Sequence, residues 1–168
     1  APILFTGLKH LEYRGYDSAG IVTSSSTFQF KKDIGKVDQI NAKHNLLALH
    51  GTMGIAHTRW ATHGKVTHQN AHPHFSNNRK IAVVHNGIIE NYQQLKNFLQ
   101  EKGFQFISET DTEVIPNLIE LEMKQGKKFD EAVISTLEKL EGYYAVVAVH
   151  ENERKIVAAR RGSPLVIG

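Results

Sequence analysis

Apolar residues fall at helical spacing from the start of the chain. Leu4, Leu8 and Leu11 predict a helix over residues 3–12. A turn-rich loop comes next, Tyr13-Arg14-Gly15-Tyr16-Asp17-Ser18-Ala19-Gly20. Residues 20–23 predict a short strand, Ser24-Ser25-Ser26 a hairpin tip, and Phe28 and Phe30, alternating with polar residues, the return strand. Val37, Ile40, Leu46 and Leu47 predict a helix within 36–49. Residues 53–57 alternate as a strand. Residues 61–79 have no period and hold many His, Asn and Gly; a long irregular stretch inside a compact domain usually carries function.

Residues 80–85 form the next expected strand, and their continuous Ile-Ala-Val-Val run suits burial on both faces. Asn86-Gly87 then turns the chain into a helix over 90–102, with Tyr92, Leu95, Phe98 and Leu99 inward and Gly103 as its stop. Residues 104–107 read as a short strand. Asp111 or Thr112 caps the following helix, with Glu113 in its first turn and Pro116 near its start. Phe129, Ala132, Val133, Leu137 and Leu140 mark a further helix, broken at Glu141-Gly142. Residues 143–149 and 156–159 form a hairpin, and 165–167 a last strand. The class expected is α+β, with antiparallel hairpins and helices on the outer faces.

A length of 168 residues suits one domain with a real core. The net charge of +3 is modest, and Lys31-Lys32, Lys127-Lys128 and Arg160-Arg161 are pairs rather than blocks. Pairs read as solvated faces, which argues against nucleic acid as a partner. No apolar run reaches the ~18 residues of a membrane span. There is no cysteine, which removes disulfides, thiolate zinc sites and a thiol nucleophile together and makes the cytoplasm the default location. A helix already running at Ala1-Pro2 and a strand still running at Gly168 give both ends the look of interior points of a larger domain.

Three segments carry the candidate chemistry. At the exit of the strand over 53–57, Arg59, Trp60, Thr62 and His63 share one short loop. Arg59 can grip a carboxylate with two parallel hydrogen bonds, although an isolated arginine is more often a surface ion pair. Asp111 can hold an ammonium group, and its plainer reading is a helix cap. A free amino acid would need both, a cation and an anion fixed apart. Asn86 and Gly87 offer a side-chain amide N–H beside a glycine N–H, the donors of an oxyanion hole; the plainer reading is a turn. His57, His63, His68, His72, His74 and His85 raise the question of a metal, but no carboxylate lies among them and no spacing fits a known zinc motif. Neither a phosphate-binding loop nor a G-x-S-x-G elbow is present. The residues alone give an amino-acid pocket and an oxyanion hole without a nucleophile.

Taken in order, 11–20, 54–64, Asn70-Ala71-His72-Pro73-His74, 85–91, 108–113 and 161–168 resemble the glutaminase domain of the glutamine–fructose-6-phosphate aminotransferase (isomerizing) family, among the class II glutamine amidotransferases. The resemblance covers essentially the whole chain. It implies the N-terminal-nucleophile hydrolase fold, a four-layer α-β-β-α sandwich, here truncated at both ends. It also implies one incomplete glutaminase domain over 1–168, with the isomerase domain absent. By the same resemblance Arg59 binds the α-carboxylate of L-glutamine and Asp111 its α-amino group. Trp60, Thr62, His63 and His72 line or close over the pocket, and Asn86 and Gly87 form the oxyanion hole. No metal or cofactor is implied. Ammonia passes to the isomerase domain, which makes glucosamine 6-phosphate from fructose 6-phosphate, and the family's proteins are dimers or larger. The family's nucleophile is an N-terminal cysteine acting with its own α-amine, which this sequence lacks. The chain alone is therefore expected to be inactive. A non-catalytic module binding glutamine or glutamate is the alternative, and a metal-dependent amidohydrolase a third.

Overall fold

The computed structural model describes residues 1–61 and 64–167. The chain folds into two compact units. The first comprises residues 1–74 and 108–110, and the second residues 75–107 and 111–168. Both contain antiparallel strands and helices, the α+β class expected from the sequence.

The first unit is a three-stranded sheet ordered β2-β1-β3, from β1 (Ser18–Ser24), β2 (Phe28–Ile34) and β3 (Met53–Arg59). Helices α1 (Pro2–Leu11) and α2 (Val37–His44) supply its apolar cover. Strand alternation sends Ala19, Ile21 and Ala56 into one core with Leu8, Val37, Ile40, Leu46 and Leu49. The opposite face carries Gly20, Val22, Ile55, His57 and Arg59. The expected helix over 36–49 is two pieces. Asn45 takes the left-handed conformation at φ 52° and ends α2, and a 3-10 turn over Leu46–Ala48 comes after it.

Two side chains on β2 depart from the sequence reading. Lys32, one of a pair read as a solvated face, is buried, and so is Asp33 on the other face of the strand. Asp33 accepts hydrogen bonds from Lys43 Nζ at 2.6 Å and from the Ile34 N–H at 2.9 Å, and lies 2.7 Å from His44 Nε2. Burial alone would raise the Asp33 carboxyl; the bonds from Lys43, His44 and the backbone outweigh it and hold the group well below the usual carboxylate range.

The second unit holds β4 (His74–Phe75, at its boundary), β5 (Ile81–Ile89), β6 (Gly142–His150) and β7 (Ile156–Arg161) in that order across one sheet. Its helices are α3 (Tyr92–Glu101), α4 (Val114–Lys124) and α5 (Phe129–Lys139). Ile81, Val83 and Ile89 of β5 pack with Leu99, Ile115, Leu118, Ile119, Phe129 and Val133. Phe129 is fully buried, which stabilises the unit by about 3 kcal/mol relative to leaving the ring in water. Residues 81–85 are buried throughout, as the continuous apolar run requires. Glu122 is buried and bonded to Lys127 at 2.5 Å and to Lys139. Burial raises its carboxyl, and the two lysines more than reverse this.

Four sequence expectations fail in this unit. Asn86-Gly87 is no turn: β5 runs through it to Ile89 because β6 supplies partners on to Gly142. Residues 104–107 form no strand, and a side chain rather than a neighbouring strand bonds their backbone. Asn77 Oδ1 accepts from Gln105 N at 2.7 Å and Asn77 Nδ2 donates to Gln105 O at 2.8 Å. Neither Asp111 nor Thr112 caps α4, since both side chains bond elsewhere and residues 111–113 form a 3-10 turn before it. Residues 165–167 pair with no strand among the described residues. Among the described residues no helix is long and apolar enough to cross a membrane.

Candidate functional site

In the first unit the candidate residues lie at and beyond the end of β3. Arg59 is its last residue, paired across β1 with Ser18 and buried at 5% exposure. Its Nη1 lies 3.4 Å from the Lys65 carbonyl. The backbone at this exit is held closely. Asp17 N–H donates to Arg59 O at 3.1 Å, and the Asp17 carboxylate accepts the Ala61 N–H at 2.8 Å. Gly15 lies against the same bend, where an added Cβ would meet Arg59 C at 2.7 Å and Trp60 N at 2.8 Å. Trp60 is 58% exposed, with its ring 5.6 Å from that of Tyr16. The expectations for Thr62 and His63 fall outside the described residues.

Residues 64–74 return under a second set of restraints. Asn70 and Glu109 bond reciprocally. Asn70 Nδ2 donates to the Glu109 carboxylate at 3.1 Å, and Glu109 N donates to Asn70 Oδ1 at 2.9 Å. Asn70 Nδ2 also reaches Lys65 O at 2.9 Å, and Lys65 N donates to Glu109 at 3.2 Å. Asn70 thus acts as a spacer that closes the loop on the 108–110 segment. His72, joined to Pro73 by a cis peptide bond, is buried and stacks on His57 with ring centroids 4.3 Å apart. His74 meets His72 edge-on at 4.7 Å, and its Nε2 lies 3.1 Å from Thr110 Oγ1.

In the second unit Asn86 and Gly87 are exposed within β5, opposite Ala145 and Tyr144 of β6. Gly87 has φ 131°, and a Cβ there would lie 2.0 Å from Tyr143 O, so no side chain fits. His85 is buried on the helix-facing side, with Nδ1 2.9 Å from Thr112 Oγ1. Burial pushes its pKa down and keeps the ring neutral, against the opposing pull of the Asp111 charge. Asp111 is buried, and its Oδ2 accepts the Ile89 N–H at 2.8 Å. The 3-10 turn carrying Asp111 is therefore pinned to β5 at Ile89 and at His85, on either side of Asn86-Gly87.

The candidate residues divide between the units: Arg59, Trp60 and His72 belong to the first, and Asn86, Gly87 and Asp111 to the second. Sequence reasoning gave no role to Asp17, Asn70 or Glu109 and took Thr112 only as a possible helix cap, although each stands in a segment singled out there. The signal available was composition, since short polar side chains in loops bond to nearby backbone. Among the described residues no group of three or more His, Asp or Glu side chains converges as metal ligands would.

A family model described as a glutamine amidotransferase domain matches residues 57–166. A protein of Methanothermobacter thermautotrophicus named glutamine–fructose-6-phosphate aminotransferase (isomerizing) is 54% identical, over all of this chain and 29% of the relative. One of the same name from Thermotoga maritima is 52% identical, over 98% of this chain and 27% of its own length. The chain thus spans under a third of the relatives it matches. Among solved structures, the glutamine phosphoribosylpyrophosphate amidotransferase of B. subtilis superposes with a TM-score of 0.81 at 29% identity, over 95% of this chain and 34% of that one. This likeness agrees with the N-terminal-nucleophile hydrolase fold implied by the resemblance. Matched by the family model over more than half its length, this chain belongs to the glutamine amidotransferase domain family.

Proposed function

We propose that these residues are the glutamine-handling domain of a glutamine–fructose-6-phosphate aminotransferase (isomerizing). The observation that supports this most is the 54% identity maintained over the whole chain with a relative of that name. On this reading Arg59 takes the α-carboxylate of L-glutamine and Asp111 its α-ammonium. Trp60, Thr62, His63 and His72 line or cover the bound amino acid. The side-chain amide of Asn86 and the N–H of Gly87 receive the oxygen that gains charge when the amide carbon becomes tetrahedral. One such donor is worth ~3 kcal/mol of barrier. His85 holds Thr112, next to Asp111, through Nδ1 and the Thr112 hydroxyl at 2.9 Å.

The attacking group of a class II amidotransferase is a cysteine thiol, and none exists among these 168 residues. The thiol adds to the amide carbon, the C–N bond breaks with release of ammonia, and water then cleaves the thioester to give glutamate. These residues hold and polarise the amide and do not attack it. In the whole protein the ammonia serves conversion of fructose 6-phosphate to glucosamine 6-phosphate in an isomerase domain, within a cytoplasmic homo-oligomer. A second reading is a module that binds glutamine or glutamate without turnover.

Calorimetry with L-glutamate and an assay of glutamate formed from L-glutamine test both readings. Binding with background turnover is expected of the 168-residue chain. No binding would contradict both readings, and turnover would contradict the role assigned to an external thiol. Glutamine hydrolysis by the complete gene product separates the catalytic reading from the binding module.

A further inference from the structure

One register row crosses the first sheet: Lys32 on β2, Gly20 on β1 and His57 on β3. It stands on the face opposite Ala19, Ile21 and Ala56, which belong to the apolar core. Gly20 leaves the middle of the row bare. A Cβ there would lie 2.2 Å from His72 O, 2.5 Å from Lys32 Cβ and 3.1 Å from Pro73 Cδ. The His72-Pro73 segment therefore rests directly on the backbone of β1. At one end of the row the His57 ring lies against His72, 4.3 Å between centroids and 31° from parallel. At the other, Lys32 Nζ donates to the carbonyls of Ala71 at 2.5 Å, Pro73 at 3.0 Å and Gln69 at 3.4 Å.

Lys32 is 8% exposed, and burying an ammonium is costly unless its donors are bonded. Here the acceptors are main-chain carbonyls of alternate residues, 69, 71 and 73. A single cation thus fastens the loop on both sides of residue 72, where a neutral side chain of that length could not. We propose that Lys32 is a positioning residue: through the Ala71 and Pro73 carbonyls it fixes the loop, and so sets the His72 ring on His57. The effect on ligand affinity rests on the assignment of His72 to the glutamine pocket; the effect on the ring does not.

The test compares Lys32→Met, Lys32→Arg and Lys43→Met. The last removes a lysine that bonds Asp33 at 2.6 Å in the same unit without touching the loop. Readouts are the NMR resonances of the His72 imidazole and calorimetric affinity for L-glutamate. Lys32→Met is expected to move the His72 resonances and to weaken L-glutamate binding roughly tenfold. Lys32→Arg, still a donating cation, recovers most of both, and Lys43→Met leaves both in place. Unchanged resonances in a folded Lys32→Met protein, no recovery with arginine, or an equal displacement by Lys43→Met would overturn the proposal. If the unsubstituted chain does not bind L-glutamate, the pocket assignment fails, and the resonances still decide the role of Lys32. Should Lys32→Met not fold, Lys32→Gln carries the same test with the same outcomes.

Discussion

In the first unit, Arg59 ends a strand, and the loop beyond it is tied down by side chains: Asp17 on Ala61, Asn70 on Lys65, Glu109 on Asn70, Lys32 on three carbonyls. In the second unit, Asn86 and Gly87 lie inside a nine-residue strand and take their place from the register with β6. Asp111 is held there by one backbone N–H. Side-chain fastening gives a loop that one substitution can release while the sheet survives. Register gives residues that cannot move unless the strand does. On the proposed roles, the groups that cover the amino acid fall in the first class and the oxyanion donors in the second.

The sharpest way to break this contrast is a pair of glycine substitutions. Gly87→Ala puts a Cβ 2.0 Å from the Tyr143 carbonyl at φ 131°, backbone against backbone in a paired strand. It is expected to cost about 4 kcal/mol, read from the denaturation midpoint. Gly20→Ala meets contacts nearly as close, but against a loop. Its larger effect should be on the exchange protection of amides 69–72 and 74, with a smaller loss of global stability. Equal global losses in both variants would count against the distinction. Gly103→Ala, where nothing lies within 4 Å but φ is 86°, is the control and should cost about 1 kcal/mol.

Next in size are two buried carboxylates. Asp33→Asn leaves Lys43 without its anion and Glu122→Gln leaves Lys127 and Lys139 without theirs, and each should cost about 3 kcal/mol near neutral pH. Both native carboxyls titrate lower in the folded state than in the unfolded chain. Their stabilisation is therefore complete above the unfolded carboxylate range near pH 4 and is lost as pH falls from there toward the folded values. Urea melts across that window should show each variant flatter with pH than the parent; parallel curves would show that the carboxylate is not responsible. Asn70→Ala should cost about 2 kcal/mol and free the 64–70 loop, seen as faster amide exchange there. Trp60→Ala, at a side chain 58% exposed, should move the midpoint by less than about 0.5 kcal/mol.

The sequence was most readable where apolar spacing alone decides the structure. The run 81–85 had to be a strand buried on both faces, and the spacing of Tyr92, Leu95 and Leu99 had to be a helix, although Phe98, expected inward with them, is 39% exposed. It misled where one residue has two uses. A glycine after Asn86 suits a turn, but it also suits a strand passing 2.0 Å from a carbonyl, and nothing local separates the two. Residues 104–107 have strand composition, yet their partner is the amide of Asn77, 28 positions away in the chain. Lys32 beside Lys31 looks like a solvated face because the carbonyls that justify its burial lie 37 to 41 residues further on. Asp111 is the instructive intermediate. Its candidate role as an anion at an amino-acid site was legible, but the restraint expected of it, a helix cap, was not the one found.

The assignment of Arg59 to the α-carboxylate can be tested by crossing ligand and residue changes. Calorimetry would compare L-glutamate with its α-methyl ester on the unsubstituted chain, on Arg59→Met and on Asp111→Asn. The unsubstituted chain should prefer the free α-carboxylate by roughly tenfold or more. Arg59→Met should bring that preference close to one, while Asp111→Asn weakens both ligands and keeps their ratio. A preference that survives in Arg59→Met, or that vanishes equally in Asp111→Asn, would contradict the account.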